Sequence, residues 1–236
     1  MIALVLSAQA ISPDSLRTRV AEVAPLRSLR NTPNAPPIPL GAYDEVAAGQ
    51  VATGVVNTPG QKHRKIYGVG IVDVPIGRFF SAINDEKNKP DYTTLEHIVL
   101  LDGDYCGAER IVFQVLPVPI VSDRWWITRQ SINTALQQKS SGRVREMSWR
   151  PEPAGKQHMT PLTLALASKG VEVTMTHGGW FLIDLGEGQT LVEFWSWSDP
   201  GSGVPAGMAA SFAARSIEDT LGTMTELAQK GPACKL

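Results

Sequence analysis

The sequence predicts an α+β protein in which one antiparallel sheet is completed late in the chain and then covered by a long final helix. Three observations carry this. Between residues 93 and 133, β-rich runs follow one another with no helix between them, which implies antiparallel pairing. Two further strands meet at Gly186-Glu187-Gly188 and end at Asp199-Pro200-Gly201. After that break, Ala206, Ala210, Ala213, Ile217, Leu221, Met224 and Ala228 recur at spacings of three and four, a single apolar stripe at helical period.

Composition narrows the function classes. With 236 residues and 43% hydrophobic content, the chain is long enough to bury one large core. A formal charge of −1 leaves no global field for a polyanion, and no Lys or Arg run replaces it, so nucleic acid is excluded as the expected partner. No apolar run reaches the roughly 20 residues that a spanning helix needs. Residues 1–10 resemble the end of a secretory signal, with a short apolar core and an Ala8-Gln9-Ala10 site, but lack a basic leader. Export to a secreted or periplasmic location and a cytoplasmic chain with an apolar first turn are both open. So is the state of Cys106 and Cys234, either a disulfide or two thiols.

Ser12-Pro13-Asp14 sets a helix start, with a hydroxyl cap, proline at the first position and an acid at the positive end of the dipole. Leu16, Val20 and Val23 extend that helix to about Ala24. Four prolines within residues 31–39 read as an extended tether, which gives an organisation of 1–10, 11–40, a main domain at 41–231 and a tail at 232–236. Residues 50–56 and 64–74 are strands flanking the turn Asn57-Thr58-Pro59-Gly60, with Tyr67, Val69 and Ile71 on one side of the second. Pro75 opens a helix with Ile76, Phe79, Phe80 and Ile83 on its apolar face. Strands follow at 93–101, 108–116, 120–133 and 143–150, the first two joined at Asp102-Gly103-Asp104. Thr160-Pro161 caps a short apolar helix before Gly170, either a lid or ordinary packing. Strands at 171–176, 179–185 and 190–198 complete the sheet. Met208 and Phe212 oppose the alanine stripe of the last helix and either lie under a loop or border an entrance.

Residue patterns add a resemblance. Val121-Ser122-Asp123-Arg124-Trp125-Trp126 is similar to a Ser-x-Arg-Asp-(Phe/Trp) strand, residues 199–205 to an Asp-Pro-Gly-Gly-x-(Ile/Val)-Pro lead-in to a last helix, and Gly179-Trp180 to a Gly-x-Trp-like strand start. Together with the order of elements, these resemble the START and Bet v 1-like (SRPBCC) superfamily across about residues 50–230. The resemblance implies a helix-grip fold, a curved sheet wrapped around the C-terminal helix, and a mainly apolar cavity between them. Trp125 stands where the family pattern has an aspartate. Gln130 stands where steroid-binding relatives carry a cavity arginine, with Arg129 adjacent but of opposite parity.

The candidate ligand-binding residues are therefore Arg124, Trp126, Arg129, Gln130, Trp180, Phe194, Met208 and Phe212. Strand alternation offers two inward sets, Arg124, Trp126, Thr128 and Gln130, or Trp125, Ile127 and Arg129. Glu193 lies in a row with Leu191, Trp195 and Trp197, which reads as an outer face with the acid solvated or paired to an arginine. His63, His97, His158 and His177 show no metal-ligand spacing, and no nucleophile elbow, phosphate loop or dinucleotide fingerprint is present. No cofactor is expected. The expectation is a monomeric carrier of a lipid or other hydrophobic small molecule, with transient membrane contact for exchange. The alternative is an aromatase/cyclase-like enzyme on the same fold, using Glu193, His97 or Arg129 as its ionisable group.

Overall fold

The computed structural model describes residues 11–118, 121–202 and 206–236, with the backbone alone over 206–215. The chain opens with helices α1 (Pro13–Glu22) and α2 (Leu40–Ala47), then strands β1 (Ala52–Val56) and β2 (Lys65–Val72) and helix α3 (Ile76–Ile83). Strands β3 (His97–Gly103), β4 (Glu109–Leu116) and β5 (Asp123–Ile132) follow, then α4 (Thr134–Lys139) and β6 (Val144–Pro151). Helix α5 (Pro161–Ala167), β7 (Gly170–Glu172), β8 (Thr176–Gly186), β9 (Gln189–Ser198) and α6 (Ala206–Lys230) complete it. The strands form one curved sheet in the order β1-β2-β9-β8-β6-β5-β4-β3, antiparallel throughout, with β7 adding a short parallel rung to β5.

The inner face of the sheet is the one that α6 covers. Ile66, Val72, Met147, Trp180, Leu182 and Val192 pack there with Ile217, Leu221, Met224, Leu227 and Ala228 of α6 and with Phe79, Phe80 and Ile83 of α3. Gly68 and Gly70 let the helix lie directly on β2, since a Cβ at Gly68 would sit 2.2 Å from Ile217 Cγ2. The β8–β9 connection is a two-residue turn, Glu187-Gly188, closed by the Gly186–Gln189 pair, and both turn residues have positive φ, 51° and 79°. That is the turn type whose twist matches the strands it joins.

The outer face is divided between two covers. The N-terminal arm, including α1 and α2, packs on Tyr67, Val69, Phe181, Ile183, Leu191 and Trp195. The helix over 40–47 was not expected. Its Tyr43 and Val46 are buried against the sheet, and residues 31–39, expected as a tether, run over the same face with Thr32 and Pro36 buried. At the other end of the sheet, Leu166 and Met159 cover Ile111, Phe113, Val115, Trp125 and Ile127. Helix α5 therefore packs on the outer side and is no lid over the inner face. Cys106, in the β3–β4 turn, and Cys234, beyond α6, form a disulfide with Cα atoms 5.8 Å apart.

Candidate functional site

Sheet register fixes which side chains share the inner face beyond the part gripped by the second half of α6. The rungs Arg110–Gln130, Val112–Thr128 and Gln114–Trp126 place these six residues together, and Gln130–Trp149 continues the row onto β6. Trp180, Phe194 and Trp149 extend it as an aromatic strip, with ring centroids 4.7 Å apart for Trp180–Phe194 and 5.9 Å for Trp149–Phe194. Trp126, Trp149 and Phe194 are only half-buried, unlike the core side chains beneath α6.

Behind the aromatics runs a polar ladder. Trp126 Nε1 donates to Gln114 Oε1 at 2.9 Å, and Thr128 Oγ1 donates to the same oxygen at 3.4 Å. At the far end, Arg110 is fully buried. Its guanidinium donates to Glu86 Oε1 (2.8 and 2.5 Å), to Asn84 Oδ1 at 2.8 Å and to Gln130 Oε1 at 2.9 Å. Lys89 Nζ lies 3.9 Å from Glu86, and burial lowers the Lys89 pKa despite that neighbour. The second carboxylate oxygen of Glu86 is buried with no hydrogen-bond partner among the described residues. Two acids, Asp85 and Glu86, are thus buried with two cations, Lys89 and Arg110. The disulfide closes over this cluster, where Ala233 N donates to Asp85 Oδ2 at 2.6 Å.

No protein-family model matches the chain, and no curated protein matches it in sequence. Solved structures do. The STAR-related lipid transfer protein fragment from Xanthomonas axonopodis superposes with a TM-score of 0.62 at 15% identity, over 76% of this chain and 93% of that one. Human STARD10 gives 0.61 at 13% identity, over 96% and 83%. Human StAR-related lipid transfer protein 5 gives 0.58 at 13% identity, over 92% and 97%. The fold is the START helix-grip fold. At these identities the likeness carries architecture and leaves the chemistry to this chain's own residues.

Within the START fold, the two inward sets resolve in favour of the first. Arg124, Trp126, Thr128 and Gln130 share the inner face, and Trp180 and Phe194 join them from β8 and β9. Arg124 is committed elsewhere. Its Nε donates to Pro200 O at 2.7 Å, its Nη2 to Ser202 O at 2.8 Å, and its Nη1 to Ser122 O, so it holds the turn that leads into α6. Arg129 points to the outer face, where Nε donates to Glu152 at 2.7 Å and Nη1 lies 3.5 Å from Glu109, so it supplies no pocket charge. Met208 and Phe212 lie outside the described side chains.

Glu193 is on the outer face, as its row implied, and of the two expectations for it, solvated or paired to an arginine, the structure shows the second. Arg27 donates to both its oxygens at 2.7 and 2.5 Å, and Tyr43 Oη donates at 2.9 Å. Burial, then the Glu193 charge, raises the Tyr43 pKa. His97 shares the outer row of β3 with Val99 and Leu101, opposite Val115. Sequence reading missed Glu86 and Arg110. Residues 84–91 read as a polar loop, and the available signal was that Arg110 alternates with Val112 and Gln114 on one face of a strand.

Proposed function

We propose that this protein binds a lipid or another hydrophobic small molecule between the inner face of β4–β6 and the first half of α6. The observation that carries the reading is the half-buried strip of Trp126, Trp149 and Phe194, backed by a ladder that ends at Gln130, Arg110 and Glu86. Apolar contact supplies the affinity, at about 25 cal/mol per Å² removed from water. A few fixed polar groups orient the ligand. Trp126 has its N–H already satisfied by Gln114, so it offers the ligand an apolar ring face. Glu86 retains an unused acceptor oxygen, suited to a ligand hydroxyl at the deep end.

The lipid-transfer proteins named above share the architecture and support the reading at the level of fold. The three groups expected to serve an aromatase/cyclase-like reaction, Glu193, His97 and Arg129, all lie on the outer face, which favours binding over catalysis through them. The test is titration of delipidated protein with fluorescent fatty-acid and sterol analogues. Saturable binding at one site per chain is expected; no binding across a broad lipid panel would refute the proposal.

A further inference from the structure

We propose that the Cys106–Cys234 bond is a redox switch on the polar end of the ligand site, opened by a dithiol reductant. The first observation is where its two halves attach. Gly107, next to Cys106 in the β3–β4 turn, accepts from Arg110 Nη1 at 2.9 Å through its carbonyl oxygen. Cys234 Sγ lies 3.0 Å from the carbonyl oxygen of Asn84, whose side chain accepts from Arg110 Nη2 at 2.8 Å. The bond thus joins two segments that meet the same buried guanidinium, and Arg110 in turn donates to Gln130.

The second observation is how little else holds the tail. Of residues 231–236, only Pro232 and Cys234 are buried. Among the described residues, the tail's hydrogen bonds to α3 and the loop after it are Ala233 N to Asp85 Oδ2 at 2.6 Å and Leu236 N to Ser81 Oγ at 3.1 Å. A terminal segment with so few contacts gains more chain entropy by leaving than those contacts return, once its covalent tie is cut. Its departure opens Asp85 and Asn84 to water, and Asn84 is one of the groups that fix Arg110 beside Gln130. The loop keeps its own bonds, Asn88 N and Nδ2 to the Asp85 carboxylate, so the cluster is wetted while the fold stands.

The third observation is access. Cys106 is half-buried whereas Cys234 is 2% exposed, so a reductant thiolate reaches the sulfur of Cys106. Cys106 also has φ 60°, a left-handed backbone that a non-glycine residue adopts at a cost and that an opened turn is free to leave. Attack breaks the S–S bond, forms a mixed disulfide on Cys106 and releases Cys234 as a thiolate, which takes a proton. The reductant's second thiol then displaces Cys106. Two electrons and two protons have passed from the dithiol, now a disulfide, to the two protein thiols. The effect on a ligand rests on the proposed binding function: a polar group seated at Gln130 is held less tightly once Arg110 is wetted.

The test compares the full chain oxidised, reduced with dithiothreitol, and as Cys106→Ser/Cys234→Ser. Hydrogen exchange over residues 84–91 and 231–236 is read together with the Kd for a fluorescent fatty acid. The reduced chain and the variant should exchange at least about tenfold faster over both segments, with unchanged far-UV circular dichroism. Both should bind the fatty acid about tenfold more weakly, the equivalent of one hydrogen bond to a charged group. Reoxidation should restore the wild type, and dithiothreitol should leave the variant unchanged. Slow exchange in both redox states, loss of the fold on reduction, or a dithiothreitol response in the variant would overturn the switch. Equal affinity in the two states overturns it as well and leaves the binding function standing. If the oxidised chain binds no lipid, the binding function fails, and the exchange rates alone decide the switch.

Discussion

Glu193 shows what a single residue's surroundings conceal from sequence. Its alternation with Leu191, Trp195 and Trp197 gives the correct face, because side-chain parity along a strand is local. Its burial is not local: Arg27, which neutralises it, and Tyr43, whose hydroxyl donates to it, lie more than a hundred residues away. The same holds for Glu86 and Arg110, whose meeting depends on how residues 84–91 fold back under β4. His177 carries a prediction at this scale. Burial, with Arg150 and Lys65 nearby, lowers its pKa below the ordinary 6.5. The unfolded chain then binds the proton first as pH falls, so His177 reduces stability between about pH 6.5 and its lower folded-state pKa. Denaturant midpoints measured from about pH 7.5 to about pH 5.5 should fall less steeply for His177→Gln than for the wild type. An identical slope would contradict the assignment.

Among elements, the contact between β2 and α6 decides how closely the helix grips the sheet. Helical periodicity identified Ile217, Leu221 and Met224 as one stripe, and all three are buried in the core. What periodicity does not contain is the partner surface. Gly68 and Gly70 in β2 supply that surface, having no Cβ to hold Ile217 and Leu221 off the sheet. A methyl at Gly68 meets the β-branched side chain of Ile217, which has little rotamer freedom in a helix. Gly68→Ala should therefore destabilise the protein by about 1–3 kcal/mol, the usual cost of overpacking. Adding Ile217→Ala should recover part of that loss in a double-mutant cycle, and strict additivity in chemical denaturation would show that the two do not touch. The arm was less legible than the helix. Four prolines in residues 31–39 preclude regular structure there, but they do not reveal that the segment lies against the sheet.

For the whole molecule, turn chemistry and strand spacing were enough to indicate an antiparallel sheet covered by a final helix, and the helix-grip architecture came from the resemblance carried by the Asp-Pro-Gly turn and the order of elements. Pairing of Cys106 with Cys234 was not legible, because a separation of 128 residues fixes no distance. The bond ties the β3–β4 turn to the tail beyond α6 and closes the end of the grip that holds Arg110 and Glu86. Reduction should lower the unfolding free energy by about 2–4 kcal/mol, read from denaturant curves with and without reductant. Coincident curves would mean the bond carries no stability.

The opposite end, where Arg124 holds the carbonyls of Pro200 and Ser202, is where a ligand is expected to enter. The most direct measurement is photo-cross-linking of a diazirine-bearing fatty acid to the delipidated full chain, with labelled residues mapped by mass spectrometry. Labels concentrated on Trp126, Gln130, Trp149 and Phe194, and displaced by unlabelled lipid, are the predicted result. Labels confined to the outer face and the leucines of α5, or undiminished by competitor, would contradict an internal binding site.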